Sequence, residues 1–316
     1  MTLAVFGEIT FDHIGIAPSH ESAESVTILH KYQQTFGGRG ANVAAAYSHH
    51  SKQAVKLLSI VGPDFESVGC RTFLEGLGID CSSVAVDNQG MTPRAFIFRN
   101  GSALTYFYPG FTTNFSSHQQ GFLDVLENSG ALALYCTSGL QEINYALLAS
   151  FTGGLRIYAP GPEIFHYSND ELDRFLKVCD ALFLNDAEAQ QIMLKLERDA
   201  PQVCKDYALQ FIAVTKGALG SLIVRSSGDT FFECCRPDAV VDPTGAGDSY
   251  AGAFLARYLK DLDCEKSALY ASVASSFTVE TIGCLTNLPR KEAFLKRCAE
   301  YETKERKTNL RRNLSF

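Results

Sequence analysis

Short apolar runs that alternate with longer mixed stretches dominate the hydrophobic pattern of this chain. The first two, residues 3–6 and 55–61, are mainly apolar, as expected of strands buried on both faces of a sheet. Similar runs follow at residues 132–136, 155–159, 181–184 and 211–214, with plausible helices between them. This alternation predicts an α/β fold with a mostly parallel sheet and helices on its faces.

One segment interrupts this rhythm. Residues 94–108 carry aromatic and β-branched side chains on both sides of Asn100-Gly101, which is a strong hairpin signal. A hairpin does not fit a parallel βαβ unit, so a second, projecting sheet is favoured over an extension of the core sheet. Residues 26–36 are predicted to add a strand to it. Such a sheet could close over a bound molecule or supply a homodimer surface.

The composition is that of an ordinary globular protein, with 316 residues, 46% of them hydrophobic and 20% charged. No linker or low-complexity tract divides the chain. We therefore expect one domain over residues 1–316, with the strands of the small sheet inserted around residues 9–36 and 86–112. The polar, charged tail over residues 300–316 is expected to fray.

Charge and cysteine usage narrow the classes of partner. The net charge of −7 argues against nucleic acid as the main partner and favours a small molecule. The ten cysteines are scattered without C-x-x-C spacing, so they are expected to be reduced thiols. No basic leader and no apolar run of membrane-spanning length is evident, so we expect a cytoplasmic protein without a membrane partner.

The stretch VDPTGAGDSYAGAF, residues 241–254, concentrates the candidate chemistry. Pro243 ends an extended approach, and Gly245 and Gly247 allow a tight turn in which several N–H groups face one bound group. The apolar run that follows predicts a helix beginning near Gly245, whose N-terminus favours an anion. Asp248 in its first turn could accept a proton from a hydroxyl. An anion site and a proton acceptor in one turn together suggest phosphoryl transfer. The alternative is an ordinary turn followed by a favourable first-turn acid.

These residues resemble a known family. DPTGAGDSYAGAFLA is similar to the C-terminal signature of the PfkB, or ribokinase-like, small-molecule kinases, and FGGRGANVAAA at residues 36–46 resembles their N-terminal signature. The resemblance runs from the first strand to about Lys296. It implies a ribokinase-like three-layer fold with a small β-sheet lid, and ATP-dependent phosphorylation assisted by Mg²⁺. Asp248 would be the catalytic base, and the N–H groups of Gly245, Ala246 and Gly247 would stabilise the developing charge.

The resemblance also implies where the phosphoryl acceptor binds. It assigns Asp12, Gly38, Arg39 and Asn42 to the substrate pocket. Without the family, Asp12 would be interpreted as a solvated loop acid. Arg39 stands where ribokinases have lysine, and this change leaves the identity of the substrate open.

A further set of residues is expected near the nucleotide and its ions. The turn with Asn185 and Glu188 resembles the family's N-x-x-E motif, in which the glutamate acts on Mg²⁺ through water, although the pair would equally cap a helix. The resemblance places the remaining members of this set at the nucleotide, namely Thr215, Gly217, Gly283 and Asn287. It also implies a monovalent-cation site for K⁺ at Asp242 and the backbone of Thr244.

The acceptor is less determined than the chemistry. The lid stretch and LFLNDAEAQQI resemble adenosine-kinase-like nucleoside kinases, whereas GGRGAN is closer to ribokinases. We favour the 5′-hydroxyl of a nucleoside, with a free sugar as the alternative and a catalytically silent binding module as a third hypothesis. Four lid aromatics could stack on a nucleobase or simply pack: Phe96, Phe98, Tyr106 and Tyr108. Small residues over 267–281 could leave room for adenine or allow close helix packing.

Overall fold

The computed structural model describes residues 1–17, 28–99, 103–110, 116–136 and 139–313. Its strands, in chain order, are β1 (Leu3–Phe6), β2 (Thr10–Ile16), β3 (Lys31–Gly37), β4 (Val55–Val61), β5 (Val84–Val86), β6 (Arg94–Arg99), β7 (Ala103–Tyr108), β8 (Ala131–Tyr135), β9 (Leu155–Ala159), β10 (Ala181–Asn185), β11 (Phe211–Thr215), β12 (Gly220–Arg225) and β13 (Gly228–Glu233). Its α-helices are α1 (Arg39–His50), α2 (Asp64–Ser67), α3 (Cys70–Gly76), α4 (Ser116–Leu126), α5 (Gln141–Ser150), α6 (Asn169–Leu176), α7 (Asp186–Leu196), α8 (Ala200–Asp206), α9 (Ala246–Asp261), α10 (Cys264–Thr278) and α11 (Lys291–Asn313).

The larger sheet has nine strands in the order β13-β12-β11-β10-β9-β8-β1-β4-β5. All neighbours from β11 to β5 run parallel, whereas the β11–β12 and β12–β13 pairs at one edge are antiparallel. Alternate residues of β1 enter different cores, with Leu3 in the core on one face and Phe6 in the core on the other. The predicted three-layer arrangement is confirmed, and it gathers the carboxyl ends of the parallel strands at one edge.

The smaller sheet has four strands in the order β3-β2-β6-β7. The predicted hairpin is present, because β6 and β7 pair antiparallel down to Arg99 opposite Ala103, while the Asn100-Gly101 turn lies outside the described residues. The expected lid boundary at residue 86 is wrong, since β5 pairs with β4 and forms an edge of the larger sheet. The predicted strand over residues 26–36 is present from Lys31 onward.

Close packing of α1 against α9 brings the two glycine-rich signatures together. A Cβ added to Gly252 of α9 would lie 2.5 Å from the carbonyl oxygen of Val43 and 2.6 Å from the Cβ of Ala46. Only a residue without a side chain permits this approach. The small residues of α10 serve the same purpose, because Ala268, Ala271 and Ala274 are buried in the core rather than facing open space.

Two segments have a structure that their own sequence does not indicate. Residues 64–76 form two helices, α2 and α3, because Gly69 between them adopts a left-handed conformation with φ of 79°. The tail expected to fray continues α11 as far as Asn313, and Tyr301 within it is buried against the body of the protein. An aromatic anchor of this kind outweighs the polar composition of its neighbours.

The expected thiols are confirmed, since all ten cysteines are free and most are buried. Across the described part of the chain, no helix combines the length and the apolar character needed to cross a membrane.

Candidate active site

The first turns of α1 and α9 meet at the carboxyl edge of the larger sheet. The side-chain amide of Asn42 donates a hydrogen bond of 2.9 Å from Nδ2 to Oδ2 of Asp248, across 206 positions of sequence. The Oδ1 atom of Asn42 is buried and has no hydrogen-bond partner among the described residues. It can therefore accept a hydrogen bond from a bound hydroxyl. The predicted base and a predicted substrate residue are thus in direct contact.

Gly245 makes the turn that aims α9 at this site. It caps the helix with φ of 75°, and an added Cβ would lie 2.5 Å from the Cβ of Cys284 and 3.2 Å from Nδ2 of Asn42. Gly247 is different, because it is helical and its added Cβ would meet only Oγ1 of Thr215, at 3.9 Å. The N–H of Ala246 donates to the carbonyl oxygen of Pro243 at 3.2 Å.

Burial raises the pKa of Asp248 to about 6. The hydrogen bond from Asn42 and the positive charge of Arg39 oppose this rise, and the neighbouring carboxylates of Glu8 and Glu188 add to it. A carboxyl group tuned in this way is ionised at neutral pH yet can take up a proton readily.

Asp12 lies on β2 and belongs to the smaller sheet. Gly37 on β3 leaves room for it, since a Cβ there would lie 2.1 Å from Oδ2 of Asp12. Burial is the main cause that raises the pKa of Asp12 to about 6, and the negative charge of Asp242 raises it further. A hydrogen bond of 2.5 Å from the Thr10 hydroxyl acts in the opposite direction and lowers the pKa. Asp12 is therefore a buried acid and not a solvated loop residue.

A cavity of about 180 Å³ opens beside Asp248. The residues that line it come from the start of α1, the ends of β8 to β11, the turn after β9 and the N-terminal parts of α7 and α9: Arg39, Tyr135, Ala159, Gly161, Pro162, Phe183, Leu184, Asn185, Glu188, Thr215, Gly247, Asp248 and Ala251. It brings together predicted nucleotide, metal and catalytic residues from three separate segments. The N-terminus of α9 borders it, which favours phosphate groups there.

Arg39 lies in the same cavity as Asp248. Its guanidinium donates to the carbonyl oxygen of Cys136 and forms an ion pair of 3.7 Å with Glu8. It also lines the cavity that contains Asp248. The long side chain of Arg39 leaves the first turn of α1 and reaches the neighbouring strand ends, and its role in acceptor binding stays a prediction.

Asn185 and Glu188 form the helix cap that was the alternative to a metal role. Glu188 N–H donates to Oδ1 of Asn185 at 2.9 Å, while Oε2 of Glu188 accepts from the Asn185 N–H at 3.0 Å. Among the described residues, no group of three or more His, Cys, Asp or Glu could hold a metal ion. One carboxylate beside a phosphate cavity still fits Mg²⁺, which keeps several waters and binds substrate phosphates.

The other residues expected near the nucleotide are spread along the rim. Thr215 lines the cavity, and Gly217 just beyond it is exposed with open space around it. Gly283 contacts Asp242 through its N–H at 3.0 Å. Asn287 donates to the carbonyl oxygen of Phe277 at 2.6 Å, which ties its loop to α10. Nucleotide contact by Gly217, Gly283 and Asn287 stays a prediction.

The residues expected to hold K⁺ bind a side chain instead. The guanidinium of Arg99 donates from Nη2 to Oδ1 of Asp242 and, at 2.7 Å, to Oγ1 of Thr244. A fixed positive charge therefore already neutralises the Asp242 carboxylate, which argues against a monovalent cation beside it. The backbone of Thr244 is not contacted by this guanidinium, and its role in K⁺ binding stays a prediction.

The four lid aromatics do not face the acceptor residues. In strands, alternate residues face opposite sides of the sheet, and Asp12 pairs with Ala95 while His13 pairs with Phe96. Phe96 stacks on His13 with ring centroids 4.9 Å apart. The strand register puts Phe98, Tyr106 and Tyr108 on this same outer face. Of the two alternatives left open for these aromatics, stacking on a nucleobase beside Asp12 does not fit their face of the sheet. Phe107 is the lid aromatic on the side of Asp12.

Three residues of the site were not assigned from sequence: Glu8, Tyr135 and Arg99. Tyr135 lines the cavity, and its buried hydroxyl has no hydrogen-bond partner in the described part of the protein. Each of the three stands at or directly after the carboxyl end of a strand. That position is the signal that could have identified them.

Residues 2–291 match the family described as pfkB family carbohydrate kinase. The chain belongs to this family. The ATP-dependent kinase activity predicted from the two signatures is thereby confirmed at the level of the family.

Several relatives cover nearly the whole chain. A nucleoside kinase from Methanothermobacter thermautotrophicus is 31% identical over 297 residues, which cover 93% of this chain and 94% of the relative. A ribokinase from Haemophilus influenzae is 23% identical over 93% of this chain and 97% of the relative. The crystal structure of Methanocaldococcus jannaschii nucleoside kinase, an archaeal member of the ribokinase family, matches with a TM-score of 0.83 at 27% identity, over 95% of this chain and 98% of that one.

Proposed function

We propose that this kinase transfers the γ-phosphoryl group of ATP to the 5′-hydroxyl of a nucleoside. The observation that carries the proposal is Asp248, held by Asn42 at 2.9 Å in the first turn of α9 and beside a cavity suited to phosphate groups. The similarity to nucleoside kinases supports the choice of acceptor.

In the proposed reaction, Asp248 takes the proton of the acceptor hydroxyl while the oxygen of that hydroxyl attacks the γ-phosphorus. The new O–P bond forms while the bond to the β-phosphate oxygen breaks, and ADP leaves. The N–H groups of Gly245 and Gly247 and the positive end of α9 stabilise the charge on the transferred group. Ala246 joins them when its N–H leaves the Pro243 carbonyl.

Other residues hold the reactants. Asp12 and the free Oδ1 of Asn42 would bind the ribosyl hydroxyls, and the Arg39 guanidinium in the cavity would bind phosphate oxygens. Bound Mg²⁺ would neutralise phosphate charge, with Glu188 holding one of its waters beside Asn185.

A second cavity, of about 350 Å³, supports a nucleoside over a free sugar. It is lined by Thr35, which pairs with Asp12 across the small sheet, by Gln33 on the same face of that strand, and by Phe73 of α3. Amides can bind the edge of a base and an aromatic side chain can contact its face. We propose that the nucleobase enters this cavity.

The outer face of the lid suggests a homodimer. Five large side chains are exposed there by 38 to 59%: Tyr32, Phe98, Leu104, Tyr106 and Tyr108. An exposed apolar patch of this size is typical of an association surface. We propose that two copies associate through it.

Steady-state kinetics with Asp248→Asn tests the proposed base. We expect kcat to fall by about four orders of magnitude, the upper range for general base catalysis, with ATP affinity nearly unchanged. Asp170→Asn is the matched control, because Asp170 lies in the first turn of α6 and is exposed. Near-normal turnover of Asp248→Asn would remove Asp248 as the base.

A panel of adenosine, inosine, cytidine, ribose and fructose tests the acceptor. We expect higher kcat/KM for nucleosides. Turnover of free sugars alone would refute the nucleoside assignment and favour a ribokinase-type activity, as in the Haemophilus influenzae relative.

A further inference from the structure

The guanidinium of Arg99 joins the lid to the loop that precedes α9. Arg99 is the last residue of β6, and its Nη2 contacts both Asp242 and Thr244. Its Nη1 lies 3.4 Å from the carbonyl oxygen of Val241. Oxygen atoms of three residues within 241–244 thus surround a single positive charge that is supplied from the smaller sheet.

Asp242 is the centre of this arrangement. Its side chain is buried, and it accepts hydrogen bonds from the N–H of Thr244 at 2.8 Å and from the N–H of Gly283 at 3.0 Å. A buried carboxylate is costly unless it is paired and fully hydrogen-bonded. Arg99 supplies the compensating charge, so the conformation of the loop depends on it.

This loop sets the position of the proposed anion site. Thr244 immediately precedes Gly245, whose left-handed turn starts α9 and places Gly247 and Asp248 at the cavity. A shift of about 1 Å in such a positioning element can cost on the order of 100-fold in rate. The charge on Arg99 therefore acts on catalysis through the geometry of residues 242–248.

We propose that Arg99 is a positioning residue that acts as a built-in cation, so that the enzyme needs no monovalent metal ion. The guanidinium, attached covalently to the chain, neutralises Asp242 as a bound alkali ion would. Since Arg99 belongs to the lid, it also ties the sheet that carries Asp12 to the loop that carries the catalytic base. This inference rests on the proposed kinase function.

Kinetics in different salts provide the first test. We expect equal turnover by the unmodified protein in potassium, sodium and choline chloride at constant ionic strength. Arg99→Ala should lose on the order of 10- to 100-fold in kcat in choline and recover in potassium, which can enter the vacated space. Arg94→Ala is the matched control, because Arg94 also lies on β6 but pairs with Asp64, so no salt-specific recovery is expected.

Thermal unfolding provides a readout that needs no turnover. Potassium should raise the Tm of Arg99→Ala relative to choline and leave the Tm of the unmodified protein and of Arg94→Ala unaltered. Stimulation of the unmodified enzyme by potassium, or an Arg99→Ala variant with normal turnover in choline, would overturn the proposal. If Arg99→Ala does not fold, the proposal is tested by the turnover of Arg99→Lys in the same salts and by the salt dependence of turnover of the unmodified protein. If the unmodified protein shows no turnover in any salt but the Tm values follow the expected pattern, the proposed kinase function is contradicted and the role of Arg99 is not.

Discussion

Asp248 meets two demands that conflict in a buried carboxyl group. It must be ionised to take a proton, yet burial favours its neutral form and raises its pKa to about 6. Asn42 and Arg39 favour the ionised form, and this balance keeps the base in its charged form at neutral pH.

The pH dependence of kcat/KM follows from this pKa. Because Asp248 accepts a proton only when ionised, the rate should rise with pH through about 6 and level off above it. Asp12 has a pKa of about 6 as well, so the acid limb should be steeper than that of a single group. Asp12→Asn should reduce the steepness. A flat profile between pH 5 and 8, measured with saturating ATP, would contradict this expectation.

The same pKa predicts a cost in stability. A group whose pKa rises from 3.8 to about 6 on folding stabilises the native state fully below 3.8, and that contribution is lost as pH rises to about 6. We therefore expect Asp248→Asn to increase the free energy of unfolding at pH 8 by up to about 3 kcal/mol, from 1.36 kcal/mol per pKa unit. Urea unfolding at pH 4 and pH 8 would check this, and a less stable variant at pH 8 would refute it.

At the scale of elements, the first turn of α9 separates two kinds of glycine. Gly245 has φ of 75° and lies against Cys284, so it is required by the backbone and by packing. Gly247 is helical and faces the open cavity, so any requirement for it comes from the ligand.

Alanine substitutions should separate these roles. Gly245→Ala should lower stability by about 1–3 kcal/mol, the cost of a strained backbone position. Gly247→Ala should leave Tm unchanged or higher, since alanine favours helix by about 1 kcal/mol, but should impair turnover because the methyl group projects toward the phosphates. Scanning calorimetry and ATP kinetics on both variants provide the check. Full activity of Gly247→Ala would remove it from the anion site.

At the scale of the whole molecule, the two faces of the lid are expected to serve different purposes. The inner face carries Asp12 and Phe107, and the outer face carries the exposed aromatics. The twofold periodicity of strands makes this division, and the register of β6 against β7 decides which residue belongs to which face.

Substitutions on the two faces should therefore have different effects. Leu104→Glu combined with Tyr106→Glu on the outer face should convert the proposed dimer to a monomer in sedimentation experiments, because two charges would be buried at the interface. Phe107→Ser on the inner face should change the KM for the nucleoside and leave association intact. Identical sedimentation of all variants would refute the lid dimer.

Local pattern predicted the strands of the larger sheet closely, and β1, β4 and β9 match the expected residues. Burial on both faces leaves continuous apolar runs that need no tertiary information. The break at Gly69 and the buried Tyr301 were not predictable in this way. Each depends on what packs against the segment and not on its own composition.

The sequence by itself determined the class of chemistry, because a glycine turn, a helix N-terminus and a first-turn acid are local features that follow from neighbouring residues. Only the tertiary structure decided that Arg99 pairs with Asp242, that Arg39 lies in the cavity beside Asp248 and that the lid aromatics face outward. The physical reason is that strand order and register set these contacts between distant segments, and no local pattern specifies either.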